Sequence, residues 1–437
     1  SGSLNYGARS FKPVRGATVE LINTSGGAVL ASTVTSATGT YSFAAITAPS
    51  TAVAVRVRAE LKTTAPATDI TVRDNTCGGV AAGCAAATAV LYAVQSANVN
   101  LSEATQTIDV QAGSGWGGSI YTAPRAAGPF AVLDAIYSGV QKVRAAAPDQ
   151  ALAQLRVMWS PDNVPAGGNT EAELIEGQIG TSFFLDDPTG RRIYLLGAAN
   201  TDTDEYDSHV VVHEWGHYLQ SAVSRDDSVG GEHGSGDKLD MRVAFSEGFG
   251  NALSGMVLGS PRYADSAGQA QGGGFVVDVS VNPGTADRGW FSEFSVQHLL
   301  WQWHENTSIG FAPMYQVLTG PMKSSAPIVG IHNFAHRLKG AAPMQAPTIT
   351  NTLAAQSITV QDEWGTGDNT TGGLGGSSLV STPIVNGSAR VCASNAAGTP
   401  NKLRNFVNLR FTTTAAGSVT IRVRPDGTGV VTDGVKM

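Results

Sequence analysis

Charge is scarce in this chain: Asp, Glu, Lys and Arg together make up 14% of its 437 residues. The balance is acidic, −7 at neutral pH, which leaves no basic footprint for a nucleic-acid backbone. No run of about 18 apolar residues occurs, the length that a membrane-spanning helix needs. The pentapeptide GxSxG is absent too, which removes the usual nucleophile elbow of a serine hydrolase. Cysteine is limited to three positions, too few for a disulfide scaffold or a four-cysteine zinc site. Cys77 and Cys84 sit in CGGVAAGC, where six intervening residues are too many for a redox pair but suit a loop disulfide, and hence an oxidising compartment. Cys392 is left over and reads as a quiet buried thiol. Gly, Ala, Ser and Thr are abundant instead, the composition of a β-rich secreted or cell-surface protein of bacterial type. The opening SGSLNYGARS reads as a short appended stretch ahead of a mature start, with a leader already removed.

Along the first hundred residues apolar and polar positions alternate between glycine-bearing joints, in GATVELINTSGGAVLASTVTSATGTYSFAAI, VAVRVRAEL and ATAVLYAVQSANVNL. This period of two predicts a small antiparallel β-sandwich over residues 1–103. The pattern then changes. PFAVLDAIYSGVQKVRAA spaces its apolar residues as a helix does, and LRVMW, GTSFFL and RRIYLLG read as strands. DSHVVVHEWGHYLQSAV, DMRVAFSEGFGNALSGMVL and WFSEFSVQHLLWQWHE read as further helices, which predicts a mixed α+β domain over 104–361. All eight histidines fall inside it, between His209 and His336. DEWGTGDNTTGGLGGSSLVST, residues 362–382, has the composition of a Gly/Ser/Thr-rich linker. Alternation returns in KLRNFVNLRFTTTAAGSVTIRVRPDGTG, which predicts a second, incomplete β-sandwich over 383–437.

The chemistry concentrates in VVVHEWGHYLQ, residues 210–220. Residues four apart share a helix face, so His213 and His217 point together, about 6 Å apart along the axis, and can reach one ion. Glu214 stands about 100° around the helix, near enough to hold a water without ligating the metal. Val211, Val212, Trp215, Leu219 and Ala222 take the opposite side as core. Without a metal the same pattern is a core helix with two half-exposed histidines. His209 repeats the spacing, but about 12 Å of helix separates it from His217, too far to share the ion. A catalytic zinc site needs a third protein ligand. Glu247, in RVAFSEGFGNALSG, is the candidate: its helix is flanked by Phe245 and Phe249 and interrupted by glycines, so it packs closely. A buried carboxylate there needs a cation. Asn251, one turn on, is placed to orient an imidazole.

His213, Glu214, His217 and Glu247 resemble the gluzincin group of zinc metallopeptidases, of which thermolysin-like enzymes are members, with the likeness strongest over 155–260. The resemblance implies Zn2+ held by His213, His217 and Glu247, with Glu214 as general base. Glu247 stands thirty residues after His217, a longer gap than the common gluzincin spacing, which leaves SRDDSVGGEHGSGDK rimming the cleft. GTSFFL, the DDPTG turn and RRIYLLG ahead of the histidine helix match the zincin order of edge strand, hairpin partner and active-site helix. That order implies an extended peptide pairing with Gly180–Leu185. GATVEL and SATGTYSF, within Gly16–Ile46, resemble the carboxypeptidase-regulatory-like, transthyretin-type module, which implies an accessory domain. The C-terminal segment resembles the start of the bacterial pre-peptidase C-terminal β-sandwich.

The expectation is therefore a multidomain, monomeric protein: an α+β zincin-like catalytic domain flanked by two small all-β sandwiches, cleaving extracellular proteins or glycoproteins. Zinc would lower the pKa of its water, Glu214 would shuttle the proton, and Tyr315, His298, His304 or His332 would steady the oxyanion. TDTDEYD, residues 201–207, offers oxygen donors for Ca2+, but without EF-hand spacing it reads as a solvated acidic loop. Two other classes stay open: a zincin-shaped adhesin or substrate-binding protein without turnover, and a zinc hydrolase of a non-peptide bond.

Overall fold

The computed structural model describes residues 11–47, 49, 51–76, 88–103, 105–373, 380–384 and 401–413, with isolated positions between 387 and 422. Cys77, Cys84 and Cys392, and with them the expected loop disulfide, lie outside the described residues. Among the described residues the architecture is mixed α/β: a large mixed sheet with eight α-helices. Its strands run β2 (Val29–Val34), β1 (Ala17–Asn23), β3 (Val53–Thr64), β4 (Ala67–Asp74), β7 (Leu155–Trp159), β9 (Gly190–Leu195) and β8 (Phe183–Asp187). Short β5 (Val90–Leu91) adds to β4, and β6 (Ala93–Gln95) to β3. The first strands pair antiparallel, whereas β4, β7 and β9 run parallel. Parallel neighbours need a crossover, and α1 (Gly128–Ala146) lies on the one from β4 to β7. Strands covered on both faces read as unbroken apolar runs. Val157 and Met158, Ile193 and Tyr194 accordingly bury both faces of β7 and β9.

One face of the sheet packs on α1 and on α3 (Ser208–Val223); the other carries a smaller cluster of Met158, Tyr194, Leu196, Ile179 and Leu174 beside α2 (Glu171–Ile175). Beyond α3 follow α4 (Met241–Leu258), the hairpin of β10 (Arg262–Ala267) and β11 (Gly273–Asp278), and α5 (Glu293–Glu305). The remaining helices are α6 (Phe311–Val317), α7 (Ile331–Ala341) and α8 (Ala346–Ala355). Among the described residues no helix is long and apolar enough to cross a membrane.

Three expectations are corrected. A self-contained sandwich over 1–103 is not met among the described residues: β4 continues into β7, and one apolar core joins Val19, Val55 and Val57 to Phe130, Trp215 and Phe245. Alternation marks a strand but does not say which strand it pairs with. The stretch 362–373 is pinned rather than a free linker, because Asp368 is buried and the Trp290 indole donates to Thr370 O at 3.2 Å. TDTDEYD is a buried turn, with Asp204, Glu205 and Asp207 only 2%, 1% and 3% exposed. Arg125 neutralises Glu205, whose other oxygen accepts from Trp159 Nε1 at 3.1 Å. The C-terminal sandwich falls largely outside the described residues, which show there a short parallel pair, β12 (Thr382–Pro383) with β13 (Leu409–Arg410).

Candidate metal centre

Helices α3 and α4 approach each other across two glycines. A Cβ on Gly216 would stand 3.2 Å from Gly250 Cα, and one on Gly250 would stand 2.9 Å from the His213 ring. A glycine inside a helix costs about 1 kcal/mol against alanine. Here that cost lets the helices close until Glu247 of α4 reaches both histidines of α3.

The contact is close. His213 Nε2 lies 3.1 Å from Glu247 Oε2 and 3.1 Å from His217 Nε2, and His217 Nε2 lies 3.6 Å from the same carboxylate oxygen. Ligands about 2.0–2.1 Å from one zinc at tetrahedral angles stand about 3.3 Å apart, so the three donor atoms have the spacing that a zinc ion requires. The far ring nitrogens are held as well. His213 Nδ1 donates to Asn251 Oδ1 at 2.8 Å, and Asn251 Nδ2 donates to Gln297 Oε1 at 2.9 Å. His217 Nδ1 donates to Ser246 Oγ at 3.0 Å, and that hydroxyl donates to Gln220 Oε1 at 3.1 Å. A proton fixed on Nδ1 leaves each Nε2 lone pair facing Glu247.

The electrostatics call for a positive charge in the middle. Burial alone would raise the Glu247 carboxyl, but His217 and His213 outweigh it and hold it well below the usual range. Burial likewise opposes charge on His217, and Glu247 overcomes it, lifting the imidazole to about 9. An ionised carboxylate among imidazoles in a water-poor pocket is stabilised by a proton or a metal ion between them. Glu214 is 8% exposed, and among the described residues its carboxylate makes no hydrogen bond or ion pair. Burial pushes its pKa up, with His213 and His217 acting against that and Glu247 adding to it. This leaves a carboxylate beside the three donors with its acceptor capacity unspent.

Of the four residues proposed for the oxyanion, His304 and His332 are engaged elsewhere. Tyr315 packs on Phe311 with its hydroxyl buried, and His298 has its Nδ1 buried. His304 Nε2 accepts from Lys142 Nζ at 2.8 Å, and His332 Nε2 donates to Asp368 at 2.9 Å. His209 turns to Ser254 Oγ at 3.0 Å, apart from the cluster. Two residues not singled out in the sequence meet the site instead. His233, from the rimming loop, brings Nε2 to 3.4 Å from Glu247 and 3.5 Å from Glu293. Tyr263, on β10, stands edge-on to the His213 ring at 5.9 Å and stacks on Phe275 at 6.0 Å. Burial drives its phenol well above the usual value, and the Glu214 charge adds to that. Neither lies in a periodic or motif-bearing segment; a histidine among glycines in GGEHGSG is the only local signal.

No protein-family model matches the chain, and no curated protein matches it.

Proposed function

We propose that the chain is a zinc-dependent endopeptidase of gluzincin type that acts on extracellular proteins or glycoproteins. The observation that carries this reading is the triad of His213 Nε2, His217 Nε2 and Glu247 Oε2, 3.1–3.6 Å apart, with each imidazole hydrogen-bonded behind. Zinc held there supplies Lewis acidity to a water and to the scissile carbonyl. Glu214, unpartnered and buried, accepts the proton of the attacking water and delivers it to the leaving amine. The Tyr263 phenol and the His233 imidazole are the donors at hand for the carbonyl oxygen, in place of Tyr315, His298, His304 and His332. A peptide substrate is favoured by β8, the terminal strand of the sheet, which is tied over the same helix. Ser221 of α3 donates to Asp186 and accepts from Arg191 Nε at 2.8 Å, and the Phe184 and Tyr218 rings stand 6.4 Å apart. An extended chain can add to that edge. A secreted or cell-surface setting belongs to the same proposal, on the low charge and small-residue composition.

Elemental analysis with digestion of a peptide library tests the reading. One zinc per chain in wild type and Glu214→Gln, loss of zinc in Glu247→Ala, and cleavage by wild type alone support it. Bound zinc without cleavage of any peptide favours a zincin-shaped binding protein or a non-peptide hydrolase.

A further inference from the structure

The loop between α3 and α4 carries His233 to the metal centre, yet its own sequence is poorly suited to holding the imidazole there. Gly230, Gly231, Gly234 and Gly236 surround it, and glycine loses more conformational freedom on ordering than any other residue. Inside the loop, His233 Nδ1 donates to Gly231 O at 3.2 Å, and Gly234 N donates to Asp237 Oδ2 at 2.9 Å. Further hold comes from the far end of the chain. Asn401 Nδ2 donates to Glu232 O at 3.0 Å, across 169 residues, and Lys402 Nζ donates to the same carbonyl at 2.8 Å. Lys402 Nζ also donates to Asp237 Oδ2 at 2.8 Å. The two side chains thus grip the loop on both sides of His233, at the residue before it and again at Asp237. Backbone bonds support them: Asp240 N donates to Asn401 O at 2.7 Å, and Leu403 N donates to Lys238 O at 2.8 Å. Asn401 is fully buried, and Leu403 belongs to the main core. Gly231 leaves the room that this approach needs, since a Cβ there would stand 3.1 Å from Asn401 Nδ2.

We propose that Asn401 and Lys402 are positioning residues for His233, a clamp from the C-terminal segment that holds this imidazole at the metal centre. The Glu232 carbonyl belongs to the planar peptide unit that ends at the His233 Cα. Two donors on that oxygen fix the plane, and with it the direction in which His233 leaves the backbone. The ring then brings Nε2 to 3.4 Å from Glu247 and 3.5 Å from Glu293. Leu403 and the backbone bridge already fasten the segment to the core. The side-chain bonds are directed instead at the one peptide that delivers the histidine. A misplacement of about 1 Å caused far from the chemistry can cost about 100-fold in rate, so such a clamp has a catalytic consequence. The inference rests on His233 serving the proposed zinc centre. It makes residues 401–403 part of the catalytic unit rather than of an appended module.

The test uses the full chain and two variants. Lys402→Met keeps the aliphatic stem at a partly exposed position and removes the donor; Asn401→Ala removes the other. Hydrogen exchange read by mass spectrometry should show the amides of residues 229–236 exchanging about tenfold faster in Lys402→Met, as when charged hydrogen bonds to a loop are lost. Exchange in α3 and α4 and the zinc content should stay at wild-type values. On a peptide substrate kcat should fall about tenfold with KM unchanged, because a donor to the carbonyl oxygen acts on the transition state. Lys402→Arg, which keeps the charge and the donors, should restore both readouts. In a His233→Ala background, Lys402→Met should lower kcat no further, since residues that act through one another are not additive. Lys402→Met carries the test alone if Asn401→Ala does not fold. Loop exchange at the wild-type rate in Lys402→Met would overturn the clamp, as would kcat losses that multiply in the double variant. A wild-type chain that cleaves no peptide would defeat the peptidase reading, and loop exchange would still decide for or against the clamp.

Discussion

At the scale of single residues, the proposed centre depends on Glu214 having no partner and on Gly250 having no side chain. Glu214→Gln keeps the shape of the side chain and removes the proton acceptor. General-base catalysis is worth typically about 10²–10⁴-fold, so activity should fall on that scale while zinc content and melting temperature stay at wild-type values. A variant with full turnover would require another base. Gly250→Ala tests the packing. Alanine favours the helix by about 1 kcal/mol, yet its Cβ would meet the His213 ring at 2.9 Å, and that ring is held by Asn251. Overpacking of this kind costs about 1–3 kcal/mol, so the net effect should be lower stability and zinc affinity at least tenfold weaker in chelator competition. Wild-type zinc affinity would show that the two helices can part without disturbing the ligands. Much of this site was legible in the chain itself. A spacing of four on one helix brings His213 and His217 together, and glycines beside Glu247 announce a close approach. His233 and Tyr263 were not legible, because a loop and a hairpin deliver them and no local period fixes where such segments return.

At the scale of elements, helices and buried parallel strands were readable because each carries its own period. The acidic turn before α3 and the stretch after residue 361 were misread for a common reason: their composition suits solvent, while their partners lie far away in sequence. Arg125 meets Glu205 across 80 residues, and Asp368 meets His332 across 36. Asp368 is the more instructive. It is 1% exposed, and its carboxylate accepts from His332 Nε2 at 2.9 Å and from the amides of Thr359 and Thr370 at 3.0 Å each. Burial would raise its pKa, but the His332 hydrogen bond and charge and the two amides outweigh it and hold it below the ordinary 3.8. The folded protein therefore releases this proton more readily than the unfolded chain. The stabilisation is full above about pH 4 and is lost as pH falls through the depressed folded value. Hydrogen bonds to a charged group contribute about 1.5–3 kcal/mol, so Asp368→Asn should lower stability by about 2 kcal/mol in urea at pH 7. The gap between variant and wild type should narrow at pH 3. An equal gap at both pH values would mean that the charge does not anchor this segment.

At the scale of the whole molecule, the question is whether the first hundred residues can be removed. Read from the sequence, they are an accessory module whose loss spares the chemistry; the sheet argues otherwise. Ile70 to Arg73 of β4 pair in register with Leu155 to Met158 of β7, and β7 in turn pairs with β9, the hairpin partner of β8. Cutting at residue 103 exposes that edge of β7 and uncovers the core around α1. Val19, Leu21, Val53, Val55, Val57, Leu61, Ile70 and Val72 are all buried in the core shared with Phe130, Ile136 and Trp215. Each such side chain contributes about 1.5–3 kcal/mol on burial, so the eight together exceed about 12 kcal/mol. A domain has about 5–15 kcal/mol of net stability in total, which a loss of that size would consume. A chain beginning at residue 104 should therefore fail to fold, showing no cooperative thermal transition and no peptide cleavage. The full chain, in calorimetry, should unfold β1–β4 and the zinc-helix layer in one transition. Two separable transitions, or a shortened chain that melts cooperatively and still binds zinc, would show that the shared sheet can be divided and that the N-terminal segment is an independent module after all.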